Sequence, residues 1–374
     1  MRTFKLSALF TVAALTLPMG VNASEADLQK QINELKSRLE ATSEIVESSS
    51  VKSKNQIGGY GEMHYNNLSG KGGAADKTEL DFHRFVLFFG HEFSDSIRFF
   101  SELEVEHVIA GEGQEGEVEL EQAYIEFDIN EQHSAKAGLF LVPVGIINET
   151  HEPTTFYGVE RNPVEKNIIP ATWWEGGASV SGEFATGWRY DVALTSGLDL
   201  GSTGTAKVRD GRQKVAKASA DSLMTTGRIK WTGVAGLEIA ATIIQLDDYT
   251  QGAGTKNSAQ LIETHAIWQT GSFALRALYA SWDIKGQTNG YDKQSGFYIE
   301  PSFKISEKVG VFARYNQYDN QAGDSSQNGE KTQTDIGINY WPHPDVVIKA
   351  DYQSQDNDNK KDQNGFNIGI GYQF

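Results

Sequence analysis

From residue 56 to the last residue, hydrophobic and polar positions alternate with a period of two, the spacing of a β-strand whose faces lie in different environments. At the C-terminus Phe366, Ile368, Ile370, Tyr372 and Phe374 fall on one side, and Asn367, Gly369, Gly371 and Gln373 on the other. The alternation predicts sixteen strands, near 56–65, 79–90, 97–108, 117–129, 134–142, 175–184, 188–196, 222–231, 237–247, 258–269, 272–283, 294–304, 308–318, 331–341, 345–354 and 363–374. Apolar outside and small or polar inside is the pattern of a barrel wall between lipid and water.

The connections alternate as well. Tight turns at 93–96, 130–132, 185–187, 232–236, 270–271, 306–307 and 342–344 are interleaved with polar, Gly-rich or Asp-rich segments at 66–78, 109–116, 143–174, 197–221, 248–257, 284–293, 319–330 and 355–362. Short periplasmic turns and long outer loops build an up-and-down outer-membrane barrel, whereas a soluble β-sandwich has no reason to alternate so strictly. Tyr190, Trp231, Trp268, Tyr279, Tyr340 and Tyr352 sit near the ends of outward rows, where aromatic rings favour the membrane interface; in a soluble sandwich they would be core residues.

Ahead of the barrel the period differs. Met1, Arg2 and Lys5, an apolar run from Leu6 to Leu17, Pro18, and the triplet Val21, Asn22, Ala23 read as a secretory signal peptide over 1–23. Over 24–50, Ser24 and Asp27 offer a helix start, and Leu28, Ile32, Leu35, Leu39, Thr42 and Val46 recur at steps of four and three. That is a periplasmic coiled-coil helix of about three heptads, too short to stand outside an assembly; a polar linker helix is the alternative. The predicted fold is therefore an all-β, 16-stranded antiparallel transmembrane barrel over 51–374, preceded by a short coiled-coil helix.

Composition narrows the partners. The formal net charge is -17, which argues against nucleic acid or an anionic lipid face as partner. The absence of cysteine excludes disulfides, thiolate metal sites and thiol nucleophiles. The eight histidines look scattered, so none is read as a metal ligand. Asp356, Asp358 and Asp362 lack the central Gly and distal Glu of an EF-hand loop. No Gly-x-Ser-x-Gly elbow is present and no cofactor motif stands out, so no case for an enzyme arises.

These features together, ending in Phe374, resemble outer-membrane porins, especially the phosphate-selective porin O and P family. The resemblance implies a homotrimer of barrels with N-terminal helices associating in the periplasm, and a terminal aromatic, Phe374, read by the barrel-assembly machinery. Anion-selective members of that family carry basic pore linings, but this chain is acidic and shows no Arg- or Lys-dense stretch, so phosphate selectivity does not carry over with the architecture.

Carrying the alternation from strand to strand points Arg98, Glu102, Glu104 and Glu106 into the lumen, with Glu126 and Asp128 beside them. Arg189, Arg228, Arg276 and Arg314 project inward from the other side, near Lys230, Lys304 and Lys349. One wall then looks basic and the opposing wall acidic, a transverse field across a channel; alternatively these charges simply pair in a wet interior. The third outer segment, 143–174, is stiffened by Pro143, Pro153, Pro163 and Pro170, and the resemblance to porins implies that a loop in this position folds inward as a constriction. Its Glu149, Glu152, Glu160 and Glu165 outnumber Arg161 and Lys166, so that constriction should lean acidic. A loop packed over the mouth is the competing arrangement.

The expected function is passive diffusion of small hydrophilic solutes or ions through a water-filled porin, with phosphate-like anions as a candidate preference. Lipid and lipopolysaccharide surround it, the latter reached through carboxylates such as Glu112, Glu115 and Glu117 and divalent cations. A receptor or adhesion scaffold, or a rim enzyme with a closed lumen, is the alternative.

Overall fold

The computed structural model describes residues 54–374; the signal peptide and coiled-coil helix expected at 1–23 and 24–50 lie outside the described residues. Sixteen strands follow: β1 (Asn55–Lys71), β2 (Lys77–Ser94), β3 (Ile97–Glu106), β4 (Val118–Asn130), β5 (His133–Leu141), β6 (Trp174–Ala185), β7 (Trp188–Thr195) and β8 (Met224–Val234) form the first half. The second half is β9 (Leu237–Leu246), β10 (Ala259–Thr270), β11 (Phe273–Ile284), β12 (Lys293–Ser306), β13 (Val309–Asp319), β14 (Glu330–His343), β15 (Val346–Asn357) and β16 (Asp362–Gln373). Each pairs antiparallel with its sequence neighbours, and β1 pairs with β16 to close the barrel. The seam is finished by Phe374, whose backbone N–H donates to Gly59 O at 2.9 Å and whose carbonyl accepts from Gly59 N at 3.0 Å.

Seven of the connections are two residues long, and they alternate with longer loops. β1 and β2 run well beyond the lipid-facing alternation, because Asn66, Asn67 and Leu68 still ladder with Glu79, Thr78 and Lys77. Above the membrane both faces are wet, so the period-two signal fades while the backbone bonds continue.

The wall is apolar outside and polar inside. Leu103, Ile243 and Ile336 are 41%, 48% and 62% exposed, while their chain neighbours Glu104, Thr242 and Asp335 are 0%, 2% and 2% exposed. A soluble protein sorts these residues the other way; a lipid-embedded barrel sorts them like this. Outward aromatics pair near the short turns, as Trp188 with Trp231 at 6.2 Å and Trp268 with Phe273 at 5.9 Å.

Two loops fold into the barrel: L3 (142–173, between β5 and β6) and L4 (196–223, between β7 and β8). Val144, Ile147, Val164, Ile168, Ile169 and Trp173 of L3 join Leu198, Leu200 and Val208 of L4 against Ile244, Leu261, Leu278, Trp282 and Tyr298 on the inner wall of β9–β12. Burying this surface, at about 25 cal/mol per Å² of apolar area, is what draws the loops inward.

On the opposite side, away from the short turns, two bulges interrupt the ladders. Between Glu62 and His64 the partner on β2 moves from Arg84 to Asp81, so β2 carries an extra residue there. Between Glu102 and Leu103 the partner on β4 moves from Gln122 to Leu120, making Glu121 the extra residue. A bulge re-aims a side chain that strict alternation would send outward.

Candidate channel constriction

L3 is first held to itself. Asn148 donates to Val142 O (2.8 Å) and Trp173 O (3.0 Å), and its Oδ1 accepts from Trp173 N (2.7 Å), clamping the two ends of the loop together. A single helical turn, α1 (Pro163–Asn167), starts at the N-cap Asn162, which accepts from Glu165 N at 2.8 Å, with proline preset for its first turn. The Glu165 carboxylate accepts from Ile146 N (2.9 Å), Ile147 N (2.7 Å) and Tyr298 Oη (2.8 Å). Burial raises its pKa and these hydrogen bonds oppose the rise. Glu165 thus folds the loop and does not line a channel.

Two of the other loop carboxylates, Glu149 and Glu160, also face walls. Glu149 pairs with Arg228, which bonds Asp191 at 2.8 Å. Glu160 meets His64 Nδ1 at 3.2 Å and Asn66 Nδ2 at 3.1 Å on β1. Glu152 is half-buried, and its backbone carbonyl accepts from Thr155 N at 3.0 Å. Arg314 spans Glu300 (3.2 Å) and Asp335 (3.0 Å) and donates to Tyr157 O at 3.3 Å; Arg276 donates to Thr155 O at 2.9 Å. Arg228, Arg276 and Arg314 face the lumen, yet they act as posts for L3. Arg189 is lumen-facing and exposed, and Arg98 pairs with Asp128 at 2.5 Å and Glu126 at 3.2 Å near the turns.

The free edge of the loops is basic. Arg161 donates to Thr172 Oγ1 (2.5 Å) and His151 O (3.3 Å), and Lys166 is exposed. L4 supplies Arg209, bonded to Lys166 O (2.8 Å) and Ala171 O (2.7 Å), and Arg212, bonded to Thr172 O (2.5 Å). Burial, then the neighbouring Arg212 and Arg161, push the Arg209 guanidinium below its ordinary value; it remains charged at neutral pH. Lys214 reaches across to Glu117 at 2.6 Å and to Glu119.

The wall it reaches is acidic. Glu102 and Glu104 are fully buried inward residues of β3, Glu106 continues their row, and the bulge adds Glu121. His151 of L3 approaches Glu102 at 3.3 Å and Glu121 at 3.6 Å, and Arg84 ties Glu62 (2.8 Å) to Glu104 (3.3 Å). The loop's excess of carboxylates therefore does not give it an acidic edge, because Glu149, Glu160 and Glu165 are spent on docking. The stretch Lys207, Arg209, Arg212, Lys214, Lys217 is a basic run within eleven residues, contrary to the expectation of none; its spacing was the available signal.

The histidines are not scattered either. His64 and His83 stack at 4.7 Å, and His83 and His107 meet edge to face at 5.5 Å. Positions that are far apart in the sequence are brought together by the β1–β2 pairing and the bulge beside His83.

A sequence profile described as phosphate-selective porin O and P matches residues 188–374. An uncharacterized protein of Aquifex aeolicus (strain VF5) is 30% identical over 365 residues, covering 87% of this chain and 81% of its own length. Among solved structures, the outer membrane channel DcaP of Acinetobacter baumannii superposes with a TM-score of 0.61 at 14% identity, covering 86% of this chain and 97% of its own. The anion-selective porin from Comamonas acidovorans gives 0.61 at 12%, covering 86% and 99%. With its inside-out sixteen-strand barrel and inward loops, the chain belongs to the phosphate-selective porin O and P family and is an outer-membrane porin.

Proposed function

We propose that small hydrophilic solutes cross this porin between the basic edge of L3 and L4 and the acidic inner wall of β3 and β4. The observation that carries the reading is the approach of Arg161, Arg209 and Arg212 to Glu104, Glu106, Glu117 and Glu119, bridged by Lys214. Opposite charges fixed on two sides of a narrow aqueous path orient polar solutes and disfavour apolar ones. Phosphate-like anions then follow the basic edge and cations the acidic wall. Arg98, Arg189, Glu126 and Asp128 line the vestibule on the turn side in this reading.

The same reading takes 1–23 as a cleaved export signal, 24–50 as a periplasmic coiled coil and the assembly as a homotrimer. Phe374, which closes the β1–β16 seam, is the residue offered to the barrel-assembly machinery. Lipopolysaccharide meets the outer rim, the role is passive transport, and no catalytic step is involved.

Single-channel conductance in a planar bilayer tests this, with a reversal potential across a salt gradient and phosphate as a blocker. Openings in steps of three with phosphate block are expected. A silent but folded barrel would instead favour a closed lumen, in which the ties of L3 to β1, β8 and β13 make it a plug.

A further inference from the structure

We infer that Asp81, His83 and His107 form a binding site for a divalent transition-metal ion of the zinc class on the inner wall of the barrel. The three come from separate places: Asp81 and His83 from β2, and His107 from the residue after β3. Strict alternation would send only one of Asp81 and Arg84 inward; the β2 bulge turns Asp81, His83 and Arg84 all toward the lumen.

The donor atoms already converge. Nδ1 of His83 lies 3.0 Å from Asp81 Oδ2, and Nδ1 of His107 lies 2.9 Å from both Asp81 oxygens. A tetrahedral ion with bonds of about 2.0–2.1 Å needs ligand atoms roughly 3.3 Å apart, so small side-chain rotations suffice. All three donor atoms lie within 4.8 Å of one another. His107 takes a left-handed backbone conformation, φ 54°, and Val108 follows at 65°, an arrangement unfavourable for a β-branched residue. That backbone turns the imidazole back over β2.

Two imidazoles and one carboxylate suit Zn²⁺, Co²⁺ or Ni²⁺, whereas Mg²⁺ and Ca²⁺ prefer all-oxygen shells. Three protein ligands leave a fourth position for water. Each imidazole gives the ion a lone pair, and any proton it shares with Asp81 leaves to solvent. The stacked His64 ring supports His83 from behind and is itself held by Glu62 and Glu160, both at 3.2 Å. Arg84, the nearby cation, is neutralised by Glu62 and Glu104.

The test is calorimetric titration of Zn²⁺ into tag-free, full-chain protein in detergent, its barrel checked by heat-dependent gel migration. It reads binding directly and is independent of whether the channel conducts. One tight site per chain is expected, at least about 100-fold weaker in His83→Ala and in His107→Ala, unchanged in His343→Ala and not displaced by Mg²⁺. Should His83→Ala fail to fold, His107→Ala and the isosteric Asp81→Asn decide, both weakening Zn²⁺. Equal binding by wild type and these variants, or displacement by Mg²⁺, overturns the site. Loss in His64→Ala with none in His107→Ala also overturns it, since the ion would then sit with His64 and Glu160.

Discussion

Around β9–β12 the inward positions that pack against the loops are Ile244, Leu261, Leu278, Trp282 and Tyr298, and around β1–β4 the inward positions include Glu62, His64, Arg84, Glu102 and Glu104. Both arcs share the same outer face, with Ile243, Ile262, Tyr279 and Ile299 on one and Leu80, Leu87, Leu103 and Leu120 on the other. Lipid imposes one chemistry on the outside, but the inside is free to differ. The apolar arc is where the loops dock, and the ionisable arc is the wall they face.

The largest break in that contrast is Trp282→Ala. Trp282 is 1% exposed, packs on Trp173 at 6.2 Å and donates to Ile168 O at 2.8 Å. Its loss should weaken L3 docking by about 3–5 kcal/mol, read as proteolytic cleavage within 142–173 and a larger conductance. Unchanged proteolysis would mean the apolar arc does not hold the loop. Tyr298→Phe is milder: it takes one of the donors from buried Glu165, and a stability loss of about 1–3 kcal/mol is expected in thermal melting.

On the charged side, replacing Arg161, Arg209 and Arg212 with Gln should move the reversal potential toward cations. Each charge, worth roughly 1 kcal/mol at lumen distances, changes the permeability of each ion by about fivefold, in opposite directions for anions and cations. A shift the other way would deny the basic edge its role. Arg98→Ala is the smallest perturbation, since its pairs with Glu126 and Asp128 are about one-third exposed and screened by solvent; the melting temperature should scarcely move.

Much of the barrel was legible in the chain because the wall separates two solvents residue by residue. Phe366 to Phe374 needs no partner to declare its faces, and Gly187 and Gly236, at φ 75° and 76°, sit in turns that the sequence already marked. Strand ends were less legible: 66–71 reads as loop yet ladders onward as β1, since no lipid sorts its side chains.

The constriction was legible only in outline. Proline content and length single out 143–174, but a count of charges cannot say which are buried. Glu149, Glu160 and Glu165 turn to Arg228, His64 and backbone amides, and the cations of 207–217 arrive from another loop.

The sequence by itself determined the strand count, the outward face and the family, since those rest on local alternation and short turns. The tertiary structure alone decided the sign of the inner edge, the docking of L3 on β9–β12 and the meeting of His64, His83 and His107. Those depend on pairing between strands and on two bulges, each a single extra residue that inverts alternation and leaves no mark in a period-two pattern.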